Sequence, residues 1–143
     1  MAKALDVIGT RSALLLMREA LYGTTRFDDF RTRAGLSEAV TAARLRELVD
    51  LGLLERSPYQ EPGQRKRYEY RLTDMGADLA PVAVGLFNWG AKYQSPGGVP
   101  PINLAHKDCG SPIRAEVRCA DGHRVNMGEV EASPVRRRQR SES

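Results

Sequence analysis

A chain of 143 residues with 41% hydrophobic residues fits one domain with at most a small appendage. Its two cysteines, Cys109 and Cys119, are too few for a disulfide framework, which agrees with a reducing compartment. No apolar run approaches the ~20 residues of a membrane span and the N-terminus has no secretory signal, so a cytoplasmic protein with no membrane partner is expected.

In chain order, Ala4-Leu5-Asp6-Val7-Ile8 starts a first helix that Gly9 interrupts. Thr10 can cap a second segment in which Ala13, Leu14, Leu16, Met17, Ala20 and Leu21 recur at helical spacing. Gly23 stands where a left-handed C-terminal residue belongs. Thr25-x-x-Asp28 has the form of a capping box for a short helix over residues 27–34 that buries Phe27 and Phe30. Gly35 makes a turn, and Ser37 is a good N-cap for a helix to Leu51 whose apolar side is Val40, Leu45, Leu48 and Val49. After Gly52, two strand-like segments, Leu53-Leu54-Glu55-Arg56 and Tyr68-Glu69-Tyr70-Arg71-Leu72-Thr73, flank the turn-rich Gln60-Glu61-Pro62-Gly63-Gln64. Thr73 can cap a last helix reaching about Tyr93, which Pro81 should kink or reset near Asp78.

Residues 95–101, rich in proline and glycine, read as a linker. Beyond it, residues 113–119 and 124–130 alternate well enough for a hairpin turning at Ala120-Asp121-Gly122-His123. The organisation expected is a DNA-binding and dimerisation domain over 1–94, a small C-terminal hairpin over 102–131 and a disordered basic tail over 132–143. Helix, turn, helix and then a basic two-stranded ribbon is the layout of a winged-helix DNA-binding domain, an α+β fold.

Charge distribution agrees with that layout. Five basic residues face two acidic ones between Arg56 and Arg71, a net of +3, and residues 134–143 carry another +3 through Arg136, Arg137, Arg138 and Arg140 against Glu142. Two concentrated positive regions suit a polyanion, because phosphate neutralisation with counterion release drives binding. A helix over residues 37–51 is about 21 Å long at ~1.5 Å per residue, enough to lie in a major groove. Its core side leaves Ala39, Ala42, Ala43 and Arg46 facing the other way. Alanines allow close approach to base edges and thymine methyls, and Arg46 can reach guanine or phosphate. Ser37 can cap the helix or bond a phosphate at its N-terminus. At the ribbon tip, Gln64, Arg65, Lys66 and Arg67 are expected beside the minor groove or on phosphates. For Arg44, an ion pair with a nearby carboxylate competes with a DNA contact. The stripe Leu79, Val82, Leu86, Trp89 and Tyr93 draws a seam along the last helix that reads either as core or as a dimer interface.

These residues resemble the HxlR-type winged-helix regulators of bacteria, relatives of the MarR group. The resemblance rests on Ala4-Leu5-Asp6-Val7-Ile8-Gly9, Leu15-Leu16-Met17-Arg18-Glu19, Arg26-Phe27-Asp28-Asp29-Phe30 and Arg44-Leu45-Arg46-Glu47-Leu48. It continues through Gly52-Leu53-Leu54-Glu55-Arg56, Pro58-Tyr59 and Tyr68-Glu69-Tyr70-Arg71-Leu72-Thr73 to Trp89-Gly90. It implies a homodimeric transcription regulator, a repressor by expectation, that binds double-stranded DNA at a pseudo-palindromic operator. The dimer is then formed by the first and last helices, with Leu79, Val82, Leu86 and Trp89 in its seam, and a small-molecule effector is a candidate further partner. Three departures stand out. Ser12 replaces the usual tryptophan, Thr41 replaces the usual leucine, and the cysteine often found just before the first helix is missing, so oxidant sensing through that cysteine is not implied.

His106-x2-Cys109 and Cys119-x3-His123 form the one metal-like constellation, readable as a tetrahedral zinc site, a redox pair or plain thiols on a hairpin. The spacing is not that of a zinc finger, and no metal or cofactor is assigned. Two functions compete with DNA binding: a thiol- or metal-responsive sensor or interaction module using Cys109 and Cys119, and an enzyme. The second has no support, since no nucleophile–base set or phosphate-cradling glycine loop occurs.

Overall fold

The computed structural model describes residues 1–135, so the arginine run at 136–140 and the rest of the basic tail lie outside the described residues. Six helices and one antiparallel ribbon follow in the order α1 (Ala2–Ile8), α2 (Arg11–Leu21), α3 (Phe27–Ala34), α4 (Glu38–Asp50), β1 (Leu54–Tyr59), β2 (Arg67–Leu72), α5 (Asp74–Ala77) and α6 (Ala80–Tyr93). This is a winged helix-turn-helix.

Local chemistry sets most of the boundaries. The Thr10 hydroxyl accepts from Ala13 N at 3.2 Å and the Ser37 hydroxyl accepts from Val40 N at 3.2 Å, each satisfying an N–H that the first helical turn leaves free. Gly35, at φ 65°, takes the left-handed conformation that lets α3 stop and α4 start across a tight turn. The expected capping box at Thr25 does not form: the N-cap of α3 is Arg26, without a side-chain cap. Residues 25 and 26 are instead drawn onto the outer edge of β2, where Tyr70 N donates to Thr25 O at 2.7 Å and Arg26 bridges Glu69. Pairing with the ribbon overrides the local capping signal. Asp28 and Asp29 still complement the positive end of α3.

The core sits where α2, α3, α4 and the ribbon base meet, with Leu16, Met17, Phe30, Leu45, Leu48 and Leu54 fully buried. Each such side chain contributes about 1.5–3 kcal/mol by leaving water. Tyr70 meets Phe30 edge to face at a centroid distance of 6.2 Å, so the wing base is part of the core. Phe27 is only half-buried. The inner face of α4 differs from the one expected. Val40 is 40% exposed, while Thr41 is fully buried with Leu45 and Leu48. Thr41 escapes the cost of a buried hydroxyl by donating to Ser37 O at 2.8 Å.

The break at Asp78–Leu79 separates α5 from α6, with Pro81 in the first turn of α6, where its missing N–H is harmless. Thr73 caps α5 through Gly76 N at 3.1 Å. Beyond α6 the expected hairpin is smaller than its alternation suggested. One bridge, Arg118↔Arg124, forms around the Gly122 turn, a second joins Ala105 and Pro112, and Met127–Glu129 is a 3-10 turn rather than strand. Nor does the linker isolate this segment. The Asn88 side chain on α6 donates to Ile113 O at 3.2 Å and accepts from Ala115 N at 2.8 Å, holding the C-terminal segment against the helix. No helix among the described residues is long and apolar enough to cross a membrane.

Candidate nucleic-acid interface

α4 projects one stripe outward from the core. Ala39, Ala43 and Arg46 are exposed, whereas Ala42 is half-buried and lines a recess between α4 and the ribbon together with Arg46, Val49, Arg56 and Tyr70. Arg46 of the helix and Arg56 of the wing thus share one recess. Ser37 is exposed but its oxygen is engaged as the α4 cap, so an anion arriving there would meet backbone N–H groups and a hydroxyl already in use. Arg44 does not project toward this face. It pairs with Glu47 and its Nε donates to Ser12 Oγ at 3.1 Å, so the serine that replaces the usual tryptophan anchors α4 to α2.

The ribbon pairs Leu54 with Leu72 at its base and Tyr59 with Arg67 at its outer end, leaving residues 60–66 as the wing loop. Gln60 closes this loop by donating to Gln64 O at 3.1 Å. Of the expected wing residues, Arg65 and Lys66 are exposed, and Arg67 lies 4.0 Å from Asp28 of α3. Other cations of the ribbon are occupied: Arg56 stacks over Tyr68 at 4.2 Å, and Arg71 pairs with Glu69 at 3.2 Å. Sequence reasoning missed Arg26. Its guanidinium lies 4.1 Å from the Tyr59 ring centroid and 2.9 Å from Glu61, whose carboxylate favours its charged form. An arginine at an N-cap position, where serine, threonine or aspartate would be ordinary, was the available signal.

The seam residues fall in two groups. Leu79 is half-buried and packs against the core. Val82, Leu86 and Trp89 stand 46%, 54% and 56% exposed, and Tyr93 continues their line, tilted against Trp89. Although α6 is mostly apolar, it contains no buried residue. Between α6 and α2 runs an apolar groove of about 920 Å³, lined by Leu14, Leu15, Val82, Leu86 and Phe87 together with Pro101 and Ile102 of the C-terminal segment.

In the C-terminal segment, His106 Nδ1 lies 3.3 Å from Cys109 Sγ. Hydrogen bonds from Ser111, then from His106, lower the Cys109 thiol to about 7. Both cysteines are free and exposed. Among the described residues no three His, Cys, Asp or Glu side chains converge to hold a metal ion, so Cys119 and His123 do not complete a ligand set with His106 and Cys109.

Comparison with known proteins agrees with this architecture. The family model described as HxlR-like helix-turn-helix matches residues 7–97. An uncharacterized HTH-type transcriptional regulator of Mycobacterium tuberculosis is 37% identical over 133 residues, which cover 92% of this chain and 83% of the relative. The crystal structure of a proposed transcription factor, PA1607, superimposes with a TM-score of 0.80 at 36% identity over 92% of each chain. The redox regulator HypR in its oxidized form superimposes with a TM-score of 0.60 at 28% identity, over 66% of this chain and 97% of that one. The chain belongs to the HxlR-like helix-turn-helix family of transcriptional regulators.

Proposed function

We propose that the protein is a repressor that binds a pseudo-palindromic operator as a homodimer, with α4 in the major groove and the wing on the flanking backbone. The observation that carries this reading is the outward stripe of Ala39, Ala43 and Arg46 beside a wing tip whose Arg65 and Lys66 are exposed. Small side chains let the helix backbone approach bases, Arg46 offers a bidentate donor, and the tip cations meet phosphates. Ala42, Gln64 and Arg67 complete the surface from the recess and the wing.

The dimer reading rests on α6. An apolar helix with no buried residue, edging an apolar groove, is the kind of surface that soluble monomers rarely leave open. A second copy covering Val82, Leu86, Trp89 and Tyr93 would set two recognition helices one turn of DNA apart. The test is selection of bound duplexes from genomic fragments, followed by titration of the selected site against random DNA. A specific-to-random ratio of at least ~10³ is expected; equal affinity for both would refute the reading.

The Cys109 geometry favours a second reading, in which thiol modification at Cys109 modulates DNA binding. It is compatible with the first. It is tested by titrating operator binding before and after alkylation, with Cys109→Ser as the control.

A further inference from the structure

A two-stranded ribbon has little stability of its own and no fixed direction unless something holds it. Here the base of the ribbon is held by Leu54, Tyr70 and Leu72 in the core, but its outer half has no core residue and, besides Arg26, reaches α3 through the exposed Arg67–Asp28 pair at 4.0 Å. Pro58, Arg67 and Tyr68 are exposed, and the wing loop beyond them touches no core residue through its side-chain bonds. Arg26 spans this gap. Its backbone bridges Glu69 on β2, while its side chain stacks on the Tyr59 ring of β1 at 4.1 Å and pairs with Glu61 of the wing loop at 2.9 Å. One residue at the start of α3 therefore grips both strands and the loop. The same residue occupies the N-cap of α3 and makes no capping bond there, so its side chain serves the wing rather than its own helix.

We infer that Arg26 is the positioning residue that fixes the wing relative to the helix-turn-helix, and that its partners Tyr59 and Glu61 set where Arg65 and Lys66 meet the DNA backbone. This rests on the proposed wing–DNA contact. It assigns Arg26 no contact with DNA: its charge is already satisfied by Glu61 and its face by Tyr59, so its effect passes through the loop it holds.

Arg26→Ser tests the inference in the full chain, because serine is a good N-cap and keeps α3 supported while removing the brace. The thermal midpoint and dimer state should be unchanged. In the free protein, amide exchange should accelerate at Tyr59 and Arg67, the outermost pair of the ribbon, and stay unchanged in α4. Against the selected operator, affinity should fall by about tenfold, with the salt slope reduced by about one to two, as when tip phosphate contacts are lost. Adding Arg65→Ala and Lys66→Ala to Arg26→Ser should cause little further loss, since a displaced tip has nothing left to lose. Glu61→Gln should reproduce part of the exchange effect, and Arg26→Lys should restore the ion pair but not the stacking.

Unchanged exchange in Arg26→Ser would overturn the brace whatever the DNA result. Accelerated exchange with unchanged operator binding would overturn the positioning role while leaving the winged-helix reading intact. Losses from Arg26→Ser and from the tip substitutions that add in full would make Arg26 a direct phosphate ligand and overturn the inference. No effect of the tip substitutions in the otherwise unaltered protein would refute the wing reading itself, and this role with it.

Discussion

At the scale of single residues, the proposed interface divides labour between one arginine on a helix and two cations on a loop. Arg46→Ala should cost about 1–3 kcal/mol of operator binding and relax preference at one position of each half-site. Arg65→Ala with Lys66→Ala should weaken all duplexes alike and reduce the salt slope by about one or two. Titrations on specific and random DNA across a salt series separate the two, and identical behaviour would refute the division. Cys109 provides an independent check on the C-terminal geometry. With its thiol at about 7, the thiolate predominates above that pH and is lost below it. The alkylation rate of Cys109 should therefore rise through a midpoint near 7 rather than near the ordinary thiol value, and Ser111→Ala should shift that midpoint upward. A rate profile unmoved by Ser111→Ala would show that the hydrogen bond is not its cause.

At the scale of elements, the junction of the wing with α5 is the most demanding contact. A Cβ on Gly76 would lie 2.1 Å from Leu53 O, a clash with backbone that no side-chain rotation relieves. Thr73 fastens the same junction by donating to Gly52 O at 2.5 Å and accepting from Gly76 N at 3.1 Å. Gly76→Ala should therefore destabilise the fold by about 2–3 kcal/mol, measured by denaturant unfolding; a neutral substitution would contradict the close approach of α5 to Leu53. Nothing in the sequence marks Gly76, because a close approach between segments distant in the chain leaves no local pattern. The caps at Thr10, Ser37 and Thr73, the break before Pro81 and the ribbon strands were legible, since each is dictated by residues within a few positions. Thr25 and Thr41 were not. Thr25 has the form of a capping box and loses to pairing with β2, while Thr41 is polar by type and enters the core because its hydroxyl has a partner at Ser37 O. The bracing of the wing was hidden for the same reason, as Arg26 and Glu61 meet only once the ribbon has folded back on α3.

At the scale of the molecule, the feature that bears on assembly is α6, an apolar helix with no buried residue. Its apolar seam was visible as a spacing of three and four, but whether such a stripe faces the protomer's core or a second chain is not written in periodicity. The exposure of Leu86 and Trp89, against the half-burial of Leu79, favours a second chain for the outer part of the seam. Leu86→Asp should dissociate the proposed dimer, because it sets a charge in an apolar contact at a cost of several kcal/mol. The C-terminal segment is tied to the same helix by Asn88 and Ser95, so removing residues 95–143 should leave the winged helix folded and change α6 where Ile113 and Ala115 were held, where Ser95 donates to Gly90 O, and along the groove that Pro100, Pro101 and Ile102 line. Operator affinity of that fragment should fall modestly, and the loss should shrink at high salt, since part of the positive charge lies in the removed tail.

The central claim is that two copies of this chain read one dyad-symmetric site through α4 and the wing. Its most direct measurement is a pair of footprints of the whole chain on the selected duplex, dimethyl sulfate for guanine N7 in the major groove and hydroxyl radical for the backbone sugars, with stoichiometry taken from sedimentation of the same complex. The expected result is two protomers per duplex, with two protected major-groove segments centred about 10 base pairs apart and flanking protection that disappears in Arg65→Ala with Lys66→Ala. A single protected segment held by one protomer, or a footprint unchanged by loss of the wing cations, would contradict it.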